Sequence, residues 1–132
     1  MRITQEADYA VRIIYFLSRD GKKSDAKSIS EAIGVTTRFS LKILRKLTQA
    51  GYIKSFKGAS GGYMLQKPAN EITLHDVITL IDGPIEINKC LRADFDCTRM
   101  DDKNCCPFHI FFEQLSADIA GRLSEVTFAD VD

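Results

Sequence analysis

Apolar residues recur at helical spacing along the first third of the chain. The first stripe predicts a helix with Thr4 as its N-cap that runs to about Ser18. Asp8 and Arg12 lie four residues apart on the opposite side of this helix, where they can form an ion pair. The residues predicted to be buried are Ala7, Ala10, Val11, Ile14 and Leu17.

Two shorter helices follow, separated by a tight turn. The first spans about residues 25–33, with Ser28 and Glu31 at capping-box spacing and Gly34 as its stop. The second has Thr36 as its N-cap and ends near residue 50. Two helices joined by a short turn containing glycine form the helix-turn-helix pattern. The inward stripe of the second helix comprises Phe39, Ile43, Leu44 and Leu47.

Alternating apolar and polar residues then predict a β-hairpin with strands at about 52–56 and 63–66. The connecting segment 57–62 holds three glycines, which allow the backbone to approach another surface closely. It lacks the lysine pattern and the following helix of a P-loop. Because it directly follows the helix-turn-helix, we interpret it as a wing.

The second half of the chain is predicted to contain two more helices. One covers about residues 74–81, with Thr73 and Asp76 at capping spacing, and the other runs from Pro107 to about Ser124. A small domain offers little to cover the long helix, so we expect it to pack on a partner chain in a two-fold homodimer rather than only on its own core. Its apolar positions are Phe108, Phe111, Phe112, Leu115, Ile119 and Leu123.

The net charge of zero conceals two oppositely charged halves. Residues 1–67 carry 13 Lys and Arg against 5 Asp and Glu, whereas residues 68–132 carry 5 against 13. We therefore predict a mostly helical, compact unit with a winged helix-turn-helix at 1–67 and a sensor loop with a dimerisation helix at 68–132. The basic half indicates a surface for a polyanion, although unevenly scattered surface charge is the alternative.

The sequence also restricts the class of protein. No apolar run is long enough to span a bilayer, and the charged N-terminus lacks the apolar segment of a signal peptide, so we expect a cytoplasmic protein. In that compartment clustered cysteines more often bind metal or do redox chemistry than form structural disulfides. The sequence contains no C-x2-C pair, no nucleotide-binding loop and no nucleophile-base constellation, which argues against an enzyme.

The second helix of a helix-turn-helix enters the major groove of DNA with its N-terminal residues toward the base edges. Arg38 can make a bidentate contact to guanine or clamp a phosphate, and Phe39 is either a core residue or a contact to a thymine methyl. Wing residues can reach the backbone or the minor groove. The predicted DNA contacts are Thr36, Thr37, Arg38, Phe39, Ser40, Lys42, Lys57, Ser60 and Gly61.

Residues 90–109, here called the cysteine-rich segment, hold all four cysteines and one of the two histidines. Its few apolar residues follow no helical or strand period, so it has little means of folding by itself. Cys90 and Cys97 are followed by the adjacent pair Cys105-Cys106 and by His109. We expect three thiolates and a different fourth ligand around a metal centre. Free thiols, a zinc site and a regulatory disulfide are the alternatives.

Several motifs together resemble the Rrf-type family of bacterial winged-helix transcriptional regulators, which includes IscR-like and NsrR-like iron-sulfur sensors. These motifs are the wing K-G-A-S-G-G-Y-M-L, the segment E-I-T-L-H-D-V-I-x3-D-G-P, the spaced cysteines and the terminal T-F-A-D-V. The resemblance implies a homodimer that binds palindromic promoter DNA under the control of an iron-sulfur cluster. It also implies Cys90, Cys97 and Cys106 as ligands, with Cys105 as an extra thiol.

The resemblance leaves the fourth ligand and the cluster type open. IscR-like proteins use a histidine with a 2Fe-2S cluster, which the motif C-P-F-H maps onto His109. NsrR-like proteins use an aspartate from the first helix of the partner subunit with a 4Fe-4S cluster, which maps onto Asp8, although Asp8 is also placed to pair with Arg12.

Two other functions fit the sequence less well. One is a cluster-free regulator from the same fold that responds to a metabolite or to thiol oxidation, with Cys105-Cys106 or a Cys90 disulfide as the switch. The other is a small redox or electron-transfer protein. The favoured function is a transcriptional regulator, for example a repressor, that responds to redox state, nitric oxide or iron-sulfur status.

Overall fold

The structure is a computed structural model that describes residues 1–98 and 101–131, so residues 99, 100 and 132 of the predicted sensor region lie outside the described residues. It confirms the mostly helical fold with a two-stranded antiparallel hairpin. Short 3-10 helices lie at Ala69–Glu71, Lys89–Leu91 and Lys103–Cys105. The main elements are α1 (Gln5–Asp20), α2 (Ala26–Ile33), α3 (Thr37–Gln49), β1 (Ile53–Phe56), β2 (Gly62–Leu65), α4 (Leu74–Asp82) and α5 (Pro107–Ser124).

Helix α1 lies at the centre of the fold and packs on α2, α3, α4 and β2. Its small residues Ala7 and Ala10 are fully buried, which allows neighbouring helices to approach its backbone. Burial of each large aliphatic side chain contributes about 1.5 to 3 kcal/mol. The buried core joins α1 to α2, α3, β1, α4 and the segments around Ile72 and Phe128, and its large members are Ile13, Ile14, Leu17, Ile29, Ile33, Ile43, Leu44, Leu47, Ile53, Ile72, Val77 and Phe128.

The helix starts show which capping predictions were correct. Thr4, Thr36 and Thr73 are the N-caps of α1, α3 and α4, and Thr73 forms a reciprocal capping box with Asp76. The predicted capping box of Ser28 was wrong. Helix α2 begins earlier because the Asp25 side chain accepts a hydrogen bond from the Ser28 N–H at 2.8 Å. This bond to the carboxylate lowers the pKa of Asp25.

The hairpin pairs Ile53 with Leu65 and Phe56 with Gly62. Ser24, in the connection between α1 and α2, adds an isolated bridge to Tyr63 of β2. The wing is therefore attached to the connection that precedes the helix-turn-helix.

The chain returns to the core after α5. The Phe128 N–H donates to the Ile72 carbonyl at 3.1 Å, and the Leu74 N–H donates to the Val126 carbonyl at 3.0 Å. Helix α5 itself packs on α4 and on the 3-10 helices of the cysteine-rich segment, and the residues that it buries are His109 and Ser116. Among the described residues, no helix combines the length and the hydropathy needed to cross a membrane.

Candidate DNA-binding surface and cysteine-rich segment

The N-terminal end of α3 is open to solvent. Thr36 accepts a hydrogen bond from the Phe39 N–H at 3.3 Å and so fixes the first turn. Thr37, Arg38 and Lys42 are exposed on the same end of the helix. Their hydroxyl, guanidinium and ammonium groups therefore face outward, as a helix that reads a DNA groove requires.

The structure buries Ser40 and exposes Phe39, which is the reverse of the sequence prediction. Ser40 is fully buried, and its hydroxyl lacks a hydrogen-bond partner in the part of the chain that the structure describes. Phe39 is 40% exposed and stands edge-on to Tyr9, with ring centroids 5.7 Å apart. The inward position predicted for Phe39 was therefore wrong. Ser40 faces the core together with Ile43, so in this conformation it presents no side chain to DNA.

The wing tip is exposed at Lys57 and Ser60, whereas Gly61 is half-buried. A side chain at Gly61 would place its Cβ 2.2 Å from the Phe56 carbonyl oxygen, so the turn needs glycine at this position. Gly61 can therefore offer only backbone atoms to a ligand.

An aromatic and basic cluster beside the wing was not predicted from the sequence. The Phe56 ring lies between two ammonium groups, with Lys23 Nζ 4.9 Å and Lys54 Nζ 5.5 Å from its centroid. Lys23 comes from the α1–α2 connection and reaches the wing because neighbouring Ser24 pairs with β2. Since this pairing is between distant parts of the chain, local sequence patterns do not reveal it.

A second interaction missed by the sequence analysis joins α1 to α3. Glu6 Oε1 lies 2.9 Å from Lys46 Nζ and 3.7 Å from Lys42 Nζ. A carboxylate thus lies between two of the lysines on α3. The signal in the sequence was only the spacing of four between the lysines, which places both on one face of the helix.

In the cysteine-rich segment, the start of α5 contains two buried potential ligands. Cys106 is the N-terminal flanking residue of α5, and its side chain is buried. His109, one turn later, is 5% exposed. Its Nε2 lies 3.7 Å from Glu113 Oε2, and its Nδ1 is buried without a hydrogen-bond partner among the described residues. A buried ring nitrogen without a partner is a donor that a metal can satisfy, and the buried Cys106 lies three residues earlier in the chain.

The other two predicted thiol ligands lie earlier in the chain, Cys90 in the 3-10 helix Lys89–Leu91 and Cys97 outside any helix or strand. Cys90 is half-buried and accepts a hydrogen bond from Asn88 Nδ2 at 3.3 Å. Cys97 is half-buried and lines a polar cavity of about 450 Å³ with Asp96, Asp101 and Asp102. Within residues 1–98 and 101–131, no three His, Cys, Asp or Glu side chains are gathered closely enough to hold a metal ion.

Cys105 has a different environment from Cys106. It is exposed, and its Sγ donates a hydrogen bond to Asp102 Oδ2 at 3.5 Å. This bond, together with the negative charge of Asp102, raises the pKa of the Cys105 thiol. A thiol held in its neutral form is a poorer metal ligand. Cys105 is therefore less readily deprotonated than an ordinary exposed cysteine.

Asp8, the alternative fourth ligand, is already paired. Its Oδ2 lies 2.8 Å from Arg12 Nη2, and both side chains are half-exposed. Arg12 Nη1 also donates to the Ile33 carbonyl oxygen at 3.1 Å. Recruitment of Asp8 to a metal would therefore require it to leave a guanidinium that the protein holds in place.

Comparisons with known proteins agree with this fold. The family model Rrf2, described as an iron-dependent transcriptional regulator, matches residues 3–131. The Rhizobium meliloti protein aau3 is 38% identical over 103 residues, which cover 76% of this chain and 67% of that protein. A Haemophilus influenzae protein named as an HTH-type transcriptional regulator is 29% identical over 99% of this chain and 86% of its own length.

Two solved structures share the fold across 98% of this chain. CymR of B. subtilis, named as its global cysteine regulator, superposes with a TM-score of 0.79 at 21% identity and is covered to 95%. IscR of T. potens superposes with a TM-score of 0.71 at 24% identity and is covered to 85%. With the match of nearly the whole sequence to the family model, the chain belongs to the Rrf2 family of DNA-binding transcriptional regulators.

Proposed function

We propose that this protein is a homodimeric transcriptional regulator whose binding to a palindromic promoter site is controlled by an iron-sulfur cluster. The observation that carries the DNA-binding part is the exposed N-terminal end of α3, where Thr37, Arg38 and Lys42 project outward beside a wing. The half of the chain that contains them has an excess of basic residues. This arrangement fits insertion of α3 into a major groove, with Lys57 and Ser60 near the backbone or minor groove.

The homodimer part rests on α5. Phe108, Phe111 and Leu115 share one stripe of the helix and are 58%, 58% and 37% exposed. A contiguous exposed apolar stripe on a helix that buries little in its own chain fits a self-complementary two-fold interface. Such a dimer would present two copies of α3, which matches a two-fold symmetric DNA site.

The cluster part rests on the buried pair at the start of α5. We propose Cys90, Cys97 and Cys106 as thiolate ligands, with His109 or Asp8 of the partner subunit as the fourth. Cys106 and His109 already lie buried there, whereas the half-buried Cys90 and Cys97 would have to be brought to them. This behaviour is expected where metal binding and folding are coupled. The orphaned Nδ1 of His109 favours the histidine, because Asp8 already has a partner in Arg12.

The mechanism follows from linkage between the two halves of the chain. A bound iron-sulfur cluster would supply a redox-active centre at this position. Movement of Cys90 and Cys97 toward the start of α5 would reposition the chain that joins α4 to the dimer helix and thereby set the spacing of the two α3 helices. The resulting change in the free energy of DNA binding equals the difference in the free energy of cluster binding between the DNA-competent and DNA-incompetent arrangements.

A cluster-free regulator is the second candidate, and a specific feature favours it. A groove of about 600 Å³ lies between α4, the segment from Pro84 to Leu91 and α5, with His75, Leu91 and Glu113 among its lining residues. This groove can accept a small molecule. The fold likeness to CymR, a global cysteine regulator, agrees with a regulator that responds to a metabolite.

Anaerobic purification separates the two candidates. We expect a coloured protein with iron and sulfide, and loss of both in Cys106→Ser but not in the matched variant Cys105→Ser. His109→Ala and Asp8→Ala, compared in the same way, identify the fourth ligand. Colourless protein without iron after reconstitution would exclude the cluster and favour the second candidate.

A gel-shift with the DNA upstream of the protein's own gene tests the DNA-binding part independently. We expect binding that weakens steeply as salt rises. Arg38→Ala should weaken it, and an unchanged affinity would show that the end of α3 is not the reading surface.

A further inference from the structure

Hydrogen bonds join Asp82, at the end of α4, to Thr4, the N-cap of α1. Glu6, in the first turn of α1, in turn contacts two lysines of α3. The Thr4 N–H donates to Asp82 Oδ2 at 3.0 Å, and the Thr4 hydroxyl donates to Asp82 Oδ1. The same hydroxyl accepts a hydrogen bond from the Ala7 N–H at 3.1 Å. Asp82 therefore holds the residue that caps α1.

The position of Asp82 is unfavourable for the helix that carries it. Asp82 is the last residue of α4, where the negative end of the helix dipole repels a carboxylate. Gly83 and Pro84 follow directly and lead into the cysteine-rich segment. The two hydrogen bonds from Thr4 offset this repulsion, so the contact depends on how the end of α4 is placed.

Glu6 lies in the first turn of α1, directly after this anchor. Its side chain is 24% exposed, against 40% for Lys46 and 59% for Lys42. Its carboxylate is therefore the least solvated member of the group, and screening by solvent weakens its pairing less than that of a fully exposed pair. The two lysines are one turn apart on α3, where they are also placed to meet DNA phosphates.

We propose that Glu6 is a positioning residue that competes with DNA phosphates for Lys42 and Lys46, and that Asp82, through Thr4, keeps Glu6 within reach of them. A shift of the α4 end, from which residues 83–89 lead to the cysteine-rich segment, would move the α1 cap and release the lysines. This inference rests on the proposed DNA-binding function and adds a route by which the second half of the chain regulates it.

The test compares Glu6→Gln and Asp82→Asn with Glu71→Gln, which removes an exposed carboxylate for which the structure gives no lysine contact. Lysine acetylation of the free protein, read by mass spectrometry with exposed Lys89 as internal reference, reports the contact without DNA. We expect Lys46 to react about two- to fivefold faster in the first two variants than in wild type or in Glu71→Gln. Equal rates in all four proteins would overturn the proposal.

The second arm measures affinity for a mixed-sequence DNA duplex across a salt series. We expect Glu6→Gln to bind about two- to fivefold more tightly than Glu71→Gln at low salt. Its plot of log affinity against log salt should steepen by up to about 0.9 for each lysine that gains a phosphate. Equal or weaker binding than the control would overturn the competition. A wild-type protein that binds no duplex, while its acetylation still responds to Glu6→Gln, would instead exclude DNA binding and leave the contact established.

Discussion

Ser24 and Tyr63 exchange two backbone hydrogen bonds. The Ser24 N–H donates to the Tyr63 carbonyl at 3.1 Å, and the Tyr63 N–H donates to the Ser24 carbonyl at 2.8 Å. This isolated bridge attaches the α1–α2 connection to β2 and places Lys23 beside Phe56. The orientation of the wing relative to α3 therefore depends on a close backbone approach at Gly62, the residue before Tyr63.

Gly62→Ala should destabilise the wing. A Cβ at this position would lie 2.8 Å from the Ser24 carbonyl oxygen, and the φ of +153° is one that L side chains rarely adopt. We expect a loss of about 2 to 3 kcal/mol in the free energy of unfolding, measured by urea denaturation, together with weaker DNA binding.

Gly121→Ala in α5 is the matched control for this substitution. A Cβ there meets no atom of the described residues within 4 Å, so helix propensity should make it neutral or stabilising by up to about 1 kcal/mol. Equal effects of the two substitutions would contradict the assigned backbone approach.

Ser40→Ala tests the orientation of α3. The Ser40 hydroxyl is buried without a partner among the described residues, so its removal should leave stability unchanged or raise it by about 1 kcal/mol. DNA affinity should stay the same, whereas Arg38→Ala should lower it by about 1 to 3 kcal/mol. A clear loss of DNA affinity in Ser40→Ala with unchanged stability would place Ser40 at the DNA surface instead.

The positions of Phe39 and Ser40 show that the spacing of apolar residues does not by itself predict which of two neighbouring side chains is buried. Positions 39 and 40 are neighbours on the helix, and a rule that places apolar residues inside prefers the phenylalanine. The small serine faces the core instead, while the Phe39 ring packs nearly perpendicular to the Tyr9 ring. Packing with α1 decides the choice, and sequence spacing carries no information about the room available there.

The sequence predicted most of the helix N-caps correctly but did not predict the long-range contacts around the candidate site. Thr36 and Thr73 cap through bonds to residues three positions ahead, so their sequence signal is local. The Asp82–Thr4 and Glu6–Lys46 contacts join residues far apart in the chain. Such pairs follow from the packing of α1 against α3 and α4, which the sequence pattern alone does not define.

Asp25 should make stability depend on pH in the acidic range. Its pKa is lowered by the hydrogen bonds from Ser28, so its carboxylate stabilises the fold above the ordinary pKa of an aspartate. This stabilisation is lost as the pH falls through the folded-state pKa. We expect Asp25→Ala to be less stable than wild type at neutral pH, with a difference that closes in acid.

Asp25→Asn provides the control, since an asparagine can still cap α2 but does not titrate. Urea midpoints measured from neutral to acidic pH should show a nearly constant offset between Asp25→Asn and Asp25→Ala. A constant difference between wild type and Asp25→Ala across the same range would contradict the role of the carboxylate.

Cys105 should react slowly with iodoacetamide. Because the hydrogen bond and the charge of Asp102 raise its thiol pKa, the pH at which alkylation accelerates should lie above that of an ordinary exposed cysteine. Asp102→Asn should shift this profile to lower pH, whereas Asp101→Asn should not. Mass spectrometry of the Cys105 peptide gives the rate, and the same profile in both variants would rule out the assigned cause.

Phe111→Glu should break the proposed dimer without unfolding the protomer. Phe111 is 58% exposed, so its own chain gains little from burying it, whereas a charge at the centre of an apolar two-fold interface is desolvated in both copies. Ala117→Glu is the matched control, because it adds the same charge at an exposed position on the opposite side of α5 from Phe108 and Leu115. Light scattering after size-exclusion chromatography should give a monomer for Phe111→Glu and a dimer for wild type and Ala117→Glu, with equal helical circular dichroism in all three. DNA affinity should then fall for Phe111→Glu alone, because a monomer presents one α3 where a symmetric site requires two. A dimeric Phe111→Glu would show that the exposed stripe serves another contact.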